Sequence, residues 1–355
     1  MSATTPATAA PKPAAKPVPT NRLGLDQKAY KGAESTLCAG CGHDSITSQL
    51  IKALYEMDVE PWNVAKMSGI GCSSKTTAYF LGQSHGFNGV HGRMPAMTTG
   101  SYLANRKLVH IGISGDGDTA SIGLSHFLHA IRRNLPMTYI LENNGVYGLT
   151  KGQFSATADR GSIAKKGLEN EMEPIDCCAM AIEMGCSYVA RSFSGDIKQL
   201  VPLIKGALAH PGFALVDIVS PCVTFNNHEG STKSFKYAKA HEDPLHEVGF
   251  VPFFEEIKAD YEPGTTQDIE LADGSHIMLK KLAHDYDPRN RSQAMDLLHK
   301  AREEKLFLTG LIYHKSGDRP LADQLHMTGK PLAHLTDAEL VPGPDALEKV
   351  MASLK

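Results

Sequence analysis

LVHIGISGDGD at residues 108–118, followed by MTYILENN at residues 137–144, decides the fold. Residues 108–114 form an apolar run of the length of a strand buried on both faces, and the run stops at Gly115-Asp116-Gly117-Asp118. Residues 119–134 then place Leu124, Phe127, Leu128 and Ile131 on one helical face. They close on Arg132-Arg133, a basic pair that favours a helix C-terminus. Residues 137–142 make a second strand with Asn143-Asn144 at its tip. Strand, helix and strand at this spacing predict a right-handed parallel unit whose two strand tips lie side by side.

The same alternation extends outward in both directions. Upstream, residues 43–57 carry Ile46, Leu50, Leu54 and Met57 at helical spacing, and residues 63–68 read as a short strand. Gly69 to Ser74 is a flexible turn, and residues 82–100 show no period and read as loop. Downstream, residues 175–184 and 196–209 predict helices, and residues 187–190 and 213–219 predict strands. This pattern is α/β: a doubly wound, mostly parallel sheet covered on both faces, with ligands at the carboxyl ends of the strands. Beyond about residue 235 the chain is rich in charge, proline and histidine, with scattered helices such as residues 292–304. The expected organisation is a disordered Ala/Pro-rich tail at 1–20, a ligand-binding domain at 21–235, and an irregular C-terminal extension at 236–355. The extension would pack on the core or on a partner chain.

Composition narrows the function. The chain has 355 residues, 42% apolar, with a formal net charge of −3, so neither a nucleic-acid groove nor a polybasic membrane face is predicted. No apolar run reaches the ~20 residues of a membrane span. The N-terminus lacks an apolar stretch followed by a small-residue cleavage pattern, and a cytoplasmic protein is expected.

At the two strand tips, Asp116 offers a carboxylate and Asn144 an amide oxygen, with backbone carbonyls nearby. This hard-oxygen set suits Mg²⁺, which takes few protein ligands and completes its shell from phosphates and water. The glycines let backbone approach a diphosphate, and the helix start at Thr119 favours anions. The seven cysteines include Cys38-Ala39-Gly40-Cys41 before a helix, Cys72 in the glycine turn and Cys222 after the last strand. In a doubly wound sheet these places converge on one edge. Four thiolates hold either a 4Fe–4S cluster or Zn²⁺, and a C-x-x-C pair also serves as a redox dithiol; spacing leaves these alternatives open.

Gly-Asp-Gly followed by Asn-Asn at this distance resembles the Mg²⁺–thiamine diphosphate motif. TLCAGCGH (36–43), SGIGCS (68–73), HGR (91–93), GDGD (115–118), YGLTKGQ (147–153) and SPCVT (220–224) occur in that order. Together they resemble the β subunit of the 2-oxoacid:ferredoxin oxidoreductases, strongly over residues 30–235 and loosely beyond. The resemblance implies that Asp116, Asn144 and the Val146 carbonyl bind Mg²⁺. It implies that Cys38, Cys41, Cys72 and Cys222 carry one 4Fe–4S cluster. Gly71, Cys72, Ser73, Ser74, His91, Gly92, Gly115, Asp116, Gly117, Asp118, Asn144, Val146, Tyr147, Gly148, Leu149 and Thr150 would then border the cofactor. Lys75, His91, Arg93 and Leu149 would face the substrate. Many relatives have proline where Ala39 stands. Cys177, Cys178 and Cys186 match no ligand and read as buried bystanders; His126 and His129 read as packing or surface residues.

By the same resemblance the chain oxidises a 2-oxoacid with loss of CO₂, passes electrons through the cluster to ferredoxin, and hands the acyl group to coenzyme A. The reverse direction is the reductive carboxylation of the reductive TCA cycle. The carboxylate that activates the cofactor would come from an α subunit, in an assembly of two α and two β chains, so the isolated chain is expected to be inactive. A short β chain with an extension, together with nearby basic residues, favours 2-oxoglutarate over pyruvate or broad specificity. Two other readings remain: a non-redox thiamine diphosphate decarboxylase, which leaves four cysteines without a task, and a zinc-stabilised structural subunit.

Overall fold

The computed structural model describes residues 18–252, 266–270, 276–281 and 286–354. Residues 1–17 of the expected tail lie outside the described residues. One sheet of eight strands organises the chain: β1 Val64–Ser68, β2 His85–Asn88, β3 Val109–Gly115, β4 Met137–Asn143, β5 Tyr188–Phe193, β6 Phe213–Val219, β7 Glu242–Pro244 and β8 Phe307–His314. Their order is β2-β1-β3-β4-β6-β5-β8-β7, and every pairing is parallel except β8 with β5.

The two-residue period of a strand divides the core into two faces. On β4, Tyr139 and Leu141 enter one apolar cluster and Ile140 the other. On β6, Phe213 and Leu215 face the first cluster, while Ala214, Val216 and Ile218 face the second. The helices Met94–Ala104, Leu124–Arg132, Cys177–Glu183 and Arg291–Glu303 cover the first face; Gly42–Glu56 and Ile197–Ala209 cover the second. Ile46, Leu50 and Leu54, one helix turn apart, are fully buried on that second face. Each contributes about 2 kcal/mol by burial.

Three expectations meet a different structure. The stretch 82–100, read as loop, contains β2 and the start of the helix Met94–Ala104. β2 is exposed along its length, so its residues show no alternation, and the helix buries Thr98 between Met94 and Tyr102, which hides its period. The single helix expected at 119–134 is two pieces: a wide π-type turn Gly117–Ile122, then the helix Leu124–Arg132. Gly123 separates them, its N–H donating to the Asp118 carbonyl at 2.9 Å, because the Gly92 backbone passes too close for any side chain there. Third, the extension enters the core sheet. β8 adds antiparallel to β5, and Leu298 and Ala301 of the helix before it join the first cluster. A separate sheet, His246–Val251, Thr266–Glu270 and His276–Lys281, follows β7 in the chain. Among the described residues no helix is long and apolar enough to cross a membrane.

Candidate cofactor and cysteine site

The strand tips meet as the spacing requires. Asp116, just past β3, is 1% exposed, and its Oδ1 accepts the Asn144 backbone N–H at 3.3 Å. Its Oδ2 accepts from Thr157 Oγ1 at 2.7 Å and from Ser155 Oγ. Oδ1 is thus the less committed oxygen. Burial pushes the Asp116 carboxyl above its usual range, while the hydrogen bonds from Ser155, Thr157 and Asn144 pull the other way. Asn144 Oδ1 accepts the Val146 N–H at 3.0 Å, and the Asn144 carbonyl accepts from Asn226 Nδ2 at 2.7 Å. The chain then turns at Gly145, whose φ is +74°, and forms the hairpin Val146–Tyr147 with Gln153–Phe154. That hairpin carries Ser155 and Thr157 back onto Asp116.

A cleft of about 100 Å³ opens at this edge, lined by Gly71, Cys72, Ser73, His91, the Gly115-to-Asp118 turn and Asn144, with Val146 to Thr150 along the other side. Glycine is required where the walls are tight: a Cβ on Gly117 would come within 2.4 Å of the Tyr147 ring, and one on Gly115 within 2.9 Å of Ser73 Oγ. Tyr147 closes the wall by donating its hydroxyl to the Gly117 carbonyl at 3.3 Å.

Asp118 lines the cleft but acts as a tie. Its Oδ1 accepts from the Gly92 N–H at 2.7 Å and the Ile70 N–H at 3.2 Å and lies 2.5 Å from His91 Nδ1, while its Oδ2 accepts from Ser114 Oγ at 2.7 Å. One carboxylate therefore fixes the Gly69 turn, the His91-Gly92 loop and β3 to one another. Leu149 and Thr150 reach the cleft, and Leu149 is half exposed. Ser74, Lys75, Gly92 and Arg93 do not line it. Ser74 Oγ donates to the Gly71 carbonyl at 2.7 Å; Arg93 is exposed at the start of the helix Met94–Ala104, where its charge acts on His126.

The four cysteines come from three loops at the same edge. Cys41 precedes the helix Gly42–Glu56, and a Cβ on Gly42 would lie 2.4 Å from Ser220 Oγ and 2.9 Å from Ser194 Oγ. That close approach seats the C-x-x-C turn on the tips of β5 and β6. Cys38 Sγ accepts from Thr224 Oγ1 at 3.3 Å, which ties the turn to the Cys222 loop. A Cβ on Gly148 would sit 3.4 Å from Cys72 Sγ and 3.7 Å from Cys222 Sγ, so both thiols lie in van der Waals reach of the hairpin at this residue. Burial pushes the Cys41 thiol up to about 12, with Glu142 and Cys222 adding to it. Cys72 is raised by burial and by Cys222, and Lys75 opposes this. Thiols held this way need a cationic metal group to become thiolates. Among the described residues no three His, Cys, Asp or Glu side chains are placed to hold one ion. Cys177, Cys178 and Cys186 are buried in the core.

Sequence reasoning did not single out His43, Glu142, Ser155 or Thr157. Glu142 is fully buried, accepts both of its bonds from Thr76 Oγ1 at 3.0 and 3.2 Å, and lies 3.5 Å from His43 Nδ1. Burial lowers His43 to about 4 and raises Glu142 well above its usual value, and the pair lines the cleft as a buried polar wall. Ser155 and Thr157 carried no signal, because only the hairpin's fold turns them toward Asp116.

This sheet with this strand-edge cleft defines the class. The family "Thiamine pyrophosphate enzyme, C-terminal TPP binding domain" matches residues 69–218. A 2-oxoacid:ferredoxin oxidoreductase subunit beta of Saccharolobus solfataricus is 40% identical over 212 residues, covering 58% of this chain and 68% of that protein. The corresponding subunit of Sulfolobus sp is 44% identical over 194 residues, 54% of this chain and 63% of that protein. The 2-oxoglutarate synthase subunit KorB of Methanocaldococcus jannaschii is 39% identical over 189 residues, 53% of this chain and 69% of that protein. The chain belongs to the family of 2-oxoacid:ferredoxin oxidoreductase β subunits; the match with the Sulfolobus relative spans less than two thirds of that protein's length. Its fold matches the 2-oxoglutarate:ferredoxin oxidoreductase from Magnetococcus marinus, solved with 2-oxoglutarate, coenzyme A and succinyl-CoA bound. The TM-score is 0.71 at 29% identity, over 93% of this chain and 96% of that one.

Proposed function

We propose that the chain is the thiamine diphosphate-binding half of a 2-oxoacid:ferredoxin oxidoreductase. The observation that carries this is the adjacency of two constellations: Asp116 beside Asn144, and, in the wall of the same cleft, Cys72 and Gly148, with Cys222 within reach of Gly148. The donor set fits the cofactor, with a buried carboxylate and an amide for Mg²⁺ and bare glycine backbone where a diphosphate approaches. Asp116, Asn144 and the Val146 carbonyl are its ligands. When bound, thiamine diphosphate supplies the nucleophilic carbon that cleaves the 2-oxoacid.

Cys38, Cys41, Cys72 and Cys222 would hold a 4Fe–4S cluster, which would supply one-electron redox chemistry toward ferredoxin. Gly71 and Ser73 join the two centres through one turn, and His43 and Glu142 form the buried polar side of the wall. His91, oriented by Asp118, and Leu149 stand where substrate would enter.

The balanced reaction is 2-oxoacid, coenzyme A and two oxidised ferredoxins giving acyl-CoA, CO₂, a proton and two reduced ferredoxins. The substrate is 2-oxoglutarate, in keeping with the names of the Methanocaldococcus and Magnetococcus proteins. An α subunit completes the site in an α₂β₂ assembly. The test uses the full chain alone and co-expressed with its partner, assayed anaerobically by ferredoxin reduction. Turnover is expected only in the assembly, with the highest kcat/KM on 2-oxoglutarate and about four irons and four sulfides per chain. Robust turnover by the isolated chain, a preference for pyruvate, or stoichiometric zinc would each overturn the corresponding part.

A further inference from the structure

The hydrogen bonds at Asp116 continue behind it in one line. Thr157 Oγ1 lies 2.7 Å from Asp116 Oδ2 and 2.9 Å from Asn143 Oδ1. Asn143 Nδ2 donates to Asp217 Oδ1 at 3.1 Å. The other Asp217 oxygen accepts from Arg191 Nε at 2.9 Å, and Arg191 also reaches Asp176 Oδ1 at 2.6 Å. Asp116, Thr157, Asn143 and Asp217 are all buried.

Two details make this line directional. Asp217 accepts from the Arg191 guanidinium and from the Asn143 nitrogen, which leaves the Asn143 oxygen turned to Thr157. The Thr157 hydroxyl then has one hydrogen and three oxygens within reach, the third being Ser155 Oγ at 3.1 Å, which itself donates to Asp116 Oδ2. A charged carboxylate is the stronger acceptor, so the hydrogen goes to Asp116 Oδ2. A cation on Asp116 draws off that charge, and Asn143 then competes for the same hydrogen. The Thr157 side chain is β-branched and stiff at χ1, which holds the oxygen in place for both partners.

We propose that Thr157 is a positioning residue: backed by the Asn143–Asp217–Arg191 line, its hydroxyl engages Asp116 Oδ2 and leaves Oδ1 to face the divalent cation. This assigns Asn143, the first asparagine of the motif, to orientation and Asn144 to ligation. It also couples the loop after the hairpin to the metal, since Thr157 lies between Ser155 and Asp159, and Asp159 pairs with Lys233 at 2.8 Å. The inference rests on Asp116 being a ligand of the cation.

The experiment titrates Mn²⁺ calorimetrically into the full chain, together with any subunit that co-purifies, at saturating thiamine diphosphate. Thr157→Val keeps the shape and removes the hydroxyl; it is expected to weaken Mn²⁺ binding about 10- to 100-fold, the range for removing a group that orients a metal ligand. Thr157→Ser is expected to stay within about threefold, because it keeps the donor. The thermal midpoint without metal should match the native chain in both variants, while the rise on adding Mn²⁺ should shrink only in Thr157→Val. Equal affinity of Thr157→Val and the native chain overturns the proposal, as does an equal loss in both variants. If Thr157→Val does not fold, Thr157→Cys is read by the same criteria, since a thiol of similar size is a weak donor. Asp116→Asn separates the two levels. If it leaves Mn²⁺ binding intact, the ligand assignment fails; if it abolishes binding while Thr157→Val does not, only the positioning role fails.

Discussion

The Asp116 centre and the cysteine mouth meet at Cys72, which lines the cleft, but they are built by opposite means. Asp116 is held inside the fold by a backbone N–H and two hydroxyls, and its partners are themselves buried. The cysteines stand on loops: Cys38 is exposed, and Cys41, Cys72 and Cys222 are half-buried. A carboxylate that must present one oxygen to a small, hard cation needs a rigid surround. A thiol quartet is drawn together by what it binds, so its loops can be looser in the absence of metal. On the proposed assignment, the first centre would be organised before its ligand arrives and the second by its ligand.

Separate removal of each centre is the strongest way to break this comparison. Asp116→Ala should lower Mg²⁺-dependent thiamine diphosphate affinity at least about 100-fold while leaving the iron content of anaerobically purified chain unchanged. Cys72→Ser should do the reverse, losing most iron and visible absorbance while cofactor affinity falls no more than about threefold. If either substitution abolishes both properties, the two centres are one cooperative unit and the contrast fails.

A milder perturbation sharpens it. Gly117→Ala puts a Cβ within 2.4 Å of the Tyr147 ring, so the ring must swing from the cleft wall. The expected loss is about tenfold in cofactor affinity, with iron content preserved; calorimetry and iron analysis together read it.

The far end of the sheet provides a pH control. Tyr188, His210 and His314 pack there, at the start of β5 and the end of β8. Burial lowers His314 to about 4, with Arg289 adding to the effect. The folded state therefore binds fewer protons than the unfolded chain between about pH 4 and 6.5. The stabilisation is complete above 6.5 and fades as pH falls toward 4. From pH 7 to 5 the loss from His314 is about 2 kcal/mol, at about 1.4 kcal/mol per pKa unit. His314→Phe should reduce the loss measured by urea midpoints, and an unchanged loss would rule the histidine out. The smallest effect belongs to Arg93→Ala, which should alter cofactor affinity less than about twofold, because Arg93 lies outside the cleft and is exposed.

The elements legible in the sequence are those whose burial is uniform. β3, β4 and β6 are buried almost without a break around an apolar centre, and the helices Gly42–Glu56 and Ile197–Ala209 have one broad apolar face. β2 was not legible because an exposed edge strand has no buried face to alternate. β8 was hidden in a charged and proline-rich region, and its place against β5 depends on partners more than a hundred residues earlier.

By itself the sequence determined which candidate groups stand at the strand tips. Gly-Asp-Gly and Asn-Asn lie at neighbouring strand tips because each ends its own apolar run, and a parallel unit has only one hand to close with. Only the tertiary structure decided what surrounds them. It turned Ser155 and Thr157 onto Asp116, placed His43 and Glu142 in the wall, and withdrew Arg93 from the cleft. Local pattern records which residues a strand or helix buries. It does not record which side chain a loop brings back across the sheet, because that contact is made between elements whose separation along the chain carries no period.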